Sequence, residues 1–296
     1  MPRTSRRPAR QQVEAWKTKP GALQGKRAPP RRGLPAGCSA PAASLGSRPE
    51  VFSPAGSRLA FRSGNRMLTL FHHPFCPHSR FVRLTLGEFG LAARLVEERA
   101  WERREEFLIL NPAGTTPVLV TEAQPPIPGA AIIAEFLDET IGAELGDRRL
   151  MPLDSGLRVE VRRLMSWFND KFFAEVSGPL ATERLYKRHM PPDRGGGSPS
   201  TEVIRAARQN IRYHLAYIGW LVRTRDWLAG DRISYADLAA AAHVSAADYM
   251  GDVPWKEDEA AKGWYARVKS RPTFRPLLTE TLAGIPPSTT YADLDF

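Results

Sequence analysis

The sequence predicts a two-layer α/β domain followed by an all-helical domain. From Met67 to about residue 141, short apolar runs of strand length alternate with amphipathic helical segments. After a polar, turn-rich stretch at 142–155, apolar residues recur only at helical spacing. We therefore expect folded domains at 67–141 and 156–283, joined by the linker at 142–155. Tails at 1–66 and 284–296 would flank them.

The basic charge of the chain is confined to its first segment. The net charge is +10 over 296 residues, but residues 1–66 contain 14 Lys/Arg and 2 Asp/Glu, a net of +12, and the other 230 residues carry a net of −2. The segment is rich in Arg, Pro, Gly, Ala and Ser. Such a composition buries too little apolar surface to offset the entropy of ordering, so we expect this segment to be disordered.

Three explanations of residues 1–66 remain open. The segment is a nucleic-acid-binding arm, an Arg-rich and acid-poor transit peptide, or upstream sequence before a misplaced start codon. Its many prolines disfavour an amphipathic targeting helix. Because a strand pattern begins directly at Met67, we favour the misplaced start, and the near-neutral body leads us to expect no nucleic-acid partner.

Cysteine usage and hydropathy indicate a cytoplasmic protein. The chain has two cysteines, Cys38 and Cys76, which cannot provide a disulfide framework and are typical of a reducing compartment. No apolar run reaches the roughly 18–20 residues that span a bilayer, and no signal-peptide core is present. We therefore expect no direct membrane insertion.

The α/β domain is expected to open with a strand, Met67–Phe71, and a helix capped by Ser79. The apolar side of this helix carries Val82, Leu86 and Phe89, and Gly90 is typical of a helix end. The elements that follow are a strand at Ala93–Glu97, a short helix in "WERREEFLIL", strands at Thr116–Val120 and in "PIPGA", and a helix at Ala131–Glu139.

The second domain is expected to contain long helices and one flexible loop. Helices are predicted at Leu157–Lys187, Val203–Arg225, Lys256–Ser270 and Phe274–Thr281, with "PPDRGGGSPS" as the loop. Ser234 and Asp237 form a capping box before the Ala-rich "LAAAAHVSAAD", so the role of Asp237 is to fold the domain. His243 lies in that helix and is expected to be a hydrogen-bonded core residue. The final "IPPSTTYADLDF" is predicted to be a free, extended tail.

Three motifs resemble those of the glutathione transferase family: "PFCPHSRFVRL", "NPAGTTPVLV" and "LAGDRISYADLAAAA". The resemblance implies a thioredoxin-type N-terminal domain and an all-helical C-terminal domain. It further implies a cis peptide bond before Pro117 and a Thr116 backbone that pairs with extended glutathione. The residual glutathione-type site would comprise Thr116, Pro117, Gly129 and Ala130.

The sequence departs from that family where the γ-glutamyl end of glutathione would bind. Gly129 and Ala130 stand where the family has Glu and Ser, and each lost hydrogen bond to a charged group costs about 1.5–3 kcal/mol. We therefore expect no cofactor and no transferase chemistry, although weak glutathione binding is compatible with the sequence. The alternative is a glutathione-dependent transferase or thiol reductase that uses Cys76 or Ser79.

Cys76 lies at a strand-to-helix turn, where a helix N-terminus favours a thiolate. It is also a residue type that packs as a small buried hydrophobe. His72, His73 and His78 lie close by in sequence. With Cys76 as the one nearby thiol and no second ligand cluster, we predict no metal site.

Further segments of the chain are "FFAEVSGPL", "IRYHLAYIGWL", "SAADYMGDVPW" and "RPTFRPLL". With them, the chain from Met67 to Phe296 resembles the FtsZ-localised branch of the family in alphaproteobacteria. That resemblance implies a homodimer at the division site that binds FtsZ filaments and promotes constriction and septal wall synthesis. Candidate partner surfaces include the aromatic Trp101 and the charged segment Ala181–Gly197. The terminal "YADLDF" would contact a septal wall-synthesis component. The residues proposed to bind partners are Trp101, Glu183, Arg184, Lys187, Tyr291, Asp293, Leu294, Asp295 and Phe296.

Overall fold

The structure, a computed structural model, describes residues 68–282 and 284–294. The predictions made for residues 1–67, and for Asp295 and Phe296, lie outside the described residues. Within the described ranges, no helix is long and apolar enough to cross a membrane.

A mixed four-stranded sheet forms the first layer, in the order β2-β1-β3-β4. β1 pairs in parallel with β2 and antiparallel with β3, and β3 pairs antiparallel with β4. The predicted alternation of buried side chains along β1 is present, because Leu68 and Leu70 are buried in the core. The strands are β1 (Leu68–His72), β2 (Ala93–Glu97), β3 (Val118–Val120) and β4 (Ile127–Pro128).

Three helices belong to the α/β layer: α1 (Pro77–Glu88), α2 (Glu105–Leu110) and α3 (Ala130–Ile141). The prediction that Ser79 caps α1 is wrong. Cys76 occupies the N-cap without a side-chain bond, and Pro77 begins the helix, where its missing N–H costs nothing. The buried Ser79 hydroxyl instead accepts a hydrogen bond from the His73 backbone N–H, 3.3 Å away.

The helical domain begins with a long helix, α4, which runs over 155–186. Its first turn is capped by Asp154, whose carboxylate accepts from the Leu157 N–H at 2.8 Å. The helix widens into π-type turns over Trp167–Ser177 and Thr182–Tyr186. Helix α5 (Thr201–Val222) follows the Gly-rich loop, as the sequence predicts.

The centre of the molecule is α6 (Tyr235–Tyr249), which is buried along its whole length. Its alanines allow α1 and α4 to pack directly against it, so the two layers share one core. The predicted capping box is confirmed: Asp237 accepts from the Ser234 N–H at 3.0 Å, and also from the Leu228 N–H and Trp264 Nε1. Two more helices complete the domain, α7 (Glu259–Lys269) and α8 (Arg275–Leu278).

The described part of the C-terminal segment is not a free tail. Tyr291 is fully buried, accepts a hydrogen bond from the Arg80 guanidinium at 3.0 Å and donates one to the Leu277 carbonyl. The buried Lys269 ammonium donates to the backbone carbonyl of Asp293. The expectation that Tyr291 is available to a partner is therefore wrong, whereas the Leu294 side chain is exposed.

Candidate functional site

A cleft of about 550 Å³ opens between the sheet layer and the helical domain. The end of β1 and the start of α1 supply Cys76 and His78, the loop before β3 supplies Thr116, and the start of α3 supplies Gly129 and Ala130. The structure therefore brings together five of the candidate residues that sequence reasoning selected: Cys76, Trp101, Thr116, Gly129 and Ala130. The other residues that line the cleft are mainly apolar and aromatic.

Cys76 and His78 both line this cleft, at the start of α1. Burial raises the pKa of the thiol, but the His78 hydrogen bond and charge lower it by more, so that the pKa falls to about 7. Burial lowers the pKa of His78, but the interaction with Cys76 outweighs burial, so that the pKa of His78 is raised above its ordinary value. His78 Nε2 lies 2.9 Å from the Asn169 carbonyl, which fixes the ring. With a pKa of about 7, the Cys76 thiol is partly ionised at neutral pH.

The backbone around the cleft has the geometry predicted from the motifs. The Thr116–Pro117 peptide bond is cis, and the Thr116 carbonyl accepts from the Cys76 thiol at 3.7 Å. Gly129 caps α3 with a φ of 89°, a conformation that favours glycine, and provides no side-chain hydrogen bond. The helix start thus offers backbone N–H groups alone, without the Glu and Ser side chains that the family pattern would supply.

Trp101 forms one wall of the cleft together with Tyr186 of α4. The rings of Trp101 and Tyr186 lie 5.2 Å apart at 34°, and His73 packs on both of them. Burial, followed by the charge of Arg99, lowers the pKa of His73 to about 4, so this imidazole is neutral. Trp101 is half-buried, so that it packs in the fold and still reaches the cleft surface.

The Gly-rich loop after α4 is attached to the Trp101 segment. The Arg194 guanidinium donates to the backbone carbonyls of Trp101 and Glu102, at 2.7 and 2.6 Å. Sequence reasoning treated Trp101 and the 181–197 segment as two separate surfaces. These two hydrogen bonds make them neighbours on one surface beside the cleft.

The charged residues of that segment are engaged within the chain. Glu183 is buried and accepts from the Ser200 N–H at 2.7 Å, while Lys187 pairs with it at 2.6 Å. Arg184 donates to Asp252 and to the Met250 carbonyl. The prediction that Glu183 binds a partner is therefore wrong, because its buried carboxylate accepts from the N–H of Ser200, the residue before α5.

Sequence reasoning missed Tyr186 and Asn169 and considered His78 only as a metal ligand. Asn169 Oδ1 accepts from His243, which also bonds Ser177 and is the core histidine expected from the sequence. The Asn169 side-chain N–H₂ is buried at the cleft without an acceptor in the described part of the chain. No local signal marks Asn169 or Tyr186, since both look like ordinary positions of a long helix.

Comparison with known protein families finds a match for each of the two folded domains. The model of the glutathione S-transferase N-terminal domain matches residues 75–140, and that of the C-terminal domain matches residues 180–272. The chain belongs to the glutathione S-transferase family. The fold class predicted from the sequence is thereby confirmed.

Among curated proteins, this glutathione S-transferase family member is similar to FtsZ-localized protein A of Caulobacter vibrioides. The two are 46% identical over 231 residues, which cover 77% of this chain and 98% of that protein. The resemblance to the FtsZ-localised branch is therefore confirmed.

Solved structures give the same placement within the glutathione S-transferase family. A glutathione S-transferase from Sinorhizobium meliloti is 53% identical with a TM-score of 0.76, covering 78% of this chain and 100% of its own. FzlA from C. crescentus is 44% identical with a TM-score of 0.70, again covering 78% and 100%.

Proposed function

We propose that the protein is a non-enzymatic, FtsZ-filament-binding member of the glutathione S-transferase family that acts at the bacterial division site. The observation that carries this proposal is the similarity to FtsZ-localized protein A over nearly the whole of that protein. It would promote constriction and septal wall synthesis from the cytoplasm. The end of the chain beyond Tyr291 would contact a septal wall-synthesis component, because the exposed Leu294 lies there.

The surface formed by Trp101 and the attached 187–200 loop is the proposed contact for FtsZ. Aromatic side chains with one packed and one open face are typical of interface hot spots. Arg194 holds the loop against Trp101, and this surface is therefore ordered before a partner binds.

Co-sedimentation with FtsZ tests the proposal directly. The full chain is expected to pellet with filaments assembled in GTP and to stay in the supernatant with FtsZ held in GDP, since the proposed ligand is the filament. Retention on immobilised glutathione is measured on the same preparation and is expected to be absent. A chain that stays in the supernatant with assembled filaments would contradict the filament-binding proposal.

We further propose that the protein is a homodimer joined through α5. Tyr213 and Trp220 are 59% and 58% exposed on one face of this helix. Tyr217 lies between them in sequence, stacks on Trp220 at 6.1 Å and packs on Trp167. Exposed aromatic side chains on one helix face form a patch typical of a protein–protein interface.

Trp220→Glu is expected to weaken the dimer by at least about tenfold, because it places a charge in an apolar contact. Sedimentation equilibrium of both proteins measures the change. Ile109→Glu on α2, where Ile109 is 76% exposed, is the matched control and should leave the dimer intact. Equal dimerisation of the Trp220 variant and the control would place the interface elsewhere.

The alternative function, a glutathione-dependent transferase or thiol reductase, is favoured by one observation. The Cys76 thiol has its lowered pKa beside a cleft of ligand size. Ser79 is a poor nucleophile here, because it is fully buried and occupied by the His73 N–H. Thiol-transfer activity that disappears in Cys76→Ala would support this alternative.

A further inference from the structure

The cleft contains a set of groups that the proposed filament binding does not use. Cys76 is a nucleophile two positions before His78, whose Nε2 lies 2.9 Å from the Asn169 carbonyl oxygen. The two groups lie at the start of α1, a helix of 12 residues with no side-chain cap.

Two unpartnered N–H groups are found at the same cleft. Asn169 is 7% exposed, and its side-chain N–H₂ has no acceptor within the described ranges. The buried Trp101 Nε1–H also has no acceptor there. Both residues line the cleft, and buried donors without partners are unfavourable unless a ligand oxygen accepts from them.

These groups are complementary to one class of compound. A soft carbon electrophile suits a thiolate, a carbonyl oxygen suits the free N–H groups, and a small apolar body suits the lining formed by Ile132, Phe173 and Met190. We propose that Cys76 is a covalent modification site for α,β-unsaturated carbonyl compounds, and that the adduct weakens filament binding through Trp101.

The step is a direct addition to the protein thiol. The Cys76 thiolate attacks the β-carbon, and its electron pair becomes the new S–C bond. The C=C π bond breaks, and its electrons move to the carbonyl oxygen as an enolate that accepts hydrogen bonds from Asn169 and Trp101. Water protonates the α-carbon, and the hydroxide that remains is neutralised by the proton that Cys76 released when it ionised. No oxidant or reductant is required.

An adduct in the cleft can affect the proposed filament surface because Trp101 belongs to both the cleft and that surface. One side of its ring packs on Tyr186 and His73 inside the cleft, while its backbone carbonyl holds Arg194 of the loop. A group bound to Cys76 would lie in the cleft that His73, Trp101 and Tyr186 line. It is expected to shift Trp101 and release the loop. The expected effect on filament binding rests on the proposed function.

N-ethylmaleimide is the probe for the modification site, used on the full chain carrying Cys38→Ser so that Cys76 is the single cysteine. Intact mass should show one adduct, with a labelling rate that rises with pH around a midpoint near 7. In His78→Gln the midpoint should move up by more than one pH unit and the rate at pH 7 should fall about fivefold. A wild-type midpoint at 8.5 or above, or an unlabelled Cys76, would overturn the proposal.

The role of the free N–H groups is tested with Trp101→Phe, which keeps an aromatic ring against Tyr186 and removes Nε1–H. Its rate with N-ethylmaleimide should fall about tenfold, which is the value of one hydrogen bond to a developing charge. Its rate with methyl methanethiosulfonate, which has no carbonyl, should stay within twofold of the parent. Equal losses with both reagents would contradict carbonyl recognition.

Filament binding of the labelled protein completes the test. Labelling is expected to weaken co-sedimentation with FtsZ at least fivefold, and Cys76→Ser treated with the same reagent should bind as the untreated protein does. Equal pelleting of labelled and unlabelled protein overturns the link to Trp101. If the unlabelled protein does not pellet, the proposed function fails, and the modification site is decided by the labelling midpoints alone.

Discussion

Asp237→Ala is expected to lower the free energy of unfolding by about 3–5 kcal/mol, the largest loss for any single substitution considered. The carboxylate of Asp237 is fully buried and accepts from the N–H groups of Leu228 and Ser234 and from Trp264 Nε1. Alanine leaves these three donors without an acceptor in a site that water does not reach. Each unsatisfied buried donor costs about 1–3 kcal/mol, with some relief from relaxation.

Thermal and urea unfolding of the two proteins would measure this loss, with a decrease in Tm of about 10 °C for a chain of this size. Asp154→Ala is the matched control, because Asp154 caps α4 at the surface through a single bond to the Leu157 N–H. Removal of such a cap costs about 0.5–2 kcal/mol. If both variants lose the same stability, Asp237 acts as an ordinary cap and the argument from its buried donors is wrong.

Trp101→Ala is expected to weaken co-sedimentation with FtsZ filaments by about tenfold or more. The substitution removes the aromatic face that the proposed surface presents, and truncation of such a residue commonly costs at least about 2 kcal/mol of binding free energy. It also removes the ring on which Tyr186 and His73 pack. The loop held through Arg194 would lose its support.

The measurement is pelleting against a series of filament concentrations, with circular dichroism to verify that the variant is folded. Leu153→Ala is a suitable control, since Leu153 is an apolar side chain, 81% exposed, in the connection before α4. If a folded Trp101→Ala protein binds within twofold of the parent, Trp101 is not part of the FtsZ surface. Filament binding itself is then tested only by co-sedimentation of the parent protein.

Much of the fold could be predicted from the sequence because its signals are local. Strand β1 follows a two-residue alternation and the Ser234–Asp237 box spans one turn, whereas the cis peptide bond before Pro117 is implied by the family resemblance of its short loop. Each of these features depends on residues that are neighbours in the chain. Their interpretation required no knowledge of the tertiary contacts.

The features that sequence reasoning missed depend on distant contacts. His78 meets the Asn169 carbonyl from 91 positions away, and Arg80 meets Tyr291 from 211 positions away. A charged or aromatic residue in a polar stretch resembles a surface residue until such a partner is known. Glu183 and Tyr291 were for this reason assigned to open surfaces, and the structure places both in the interior.

The contact between Arg80 and Tyr291 determines how the end of the chain can be altered experimentally. Arg80 is fully buried, and its hydrogen-bond partners in the described residues are the Pro74 carbonyl and the hydroxyls of Ser245 and Tyr291. A deletion that begins before Tyr291 therefore removes a hydrogen-bond acceptor from the buried Arg80 guanidinium and exposes the core beside α1. A deletion confined to positions after Leu294, or a fusion placed there, leaves that contact in place. Only such short edits can separate a lost partner from a damaged fold.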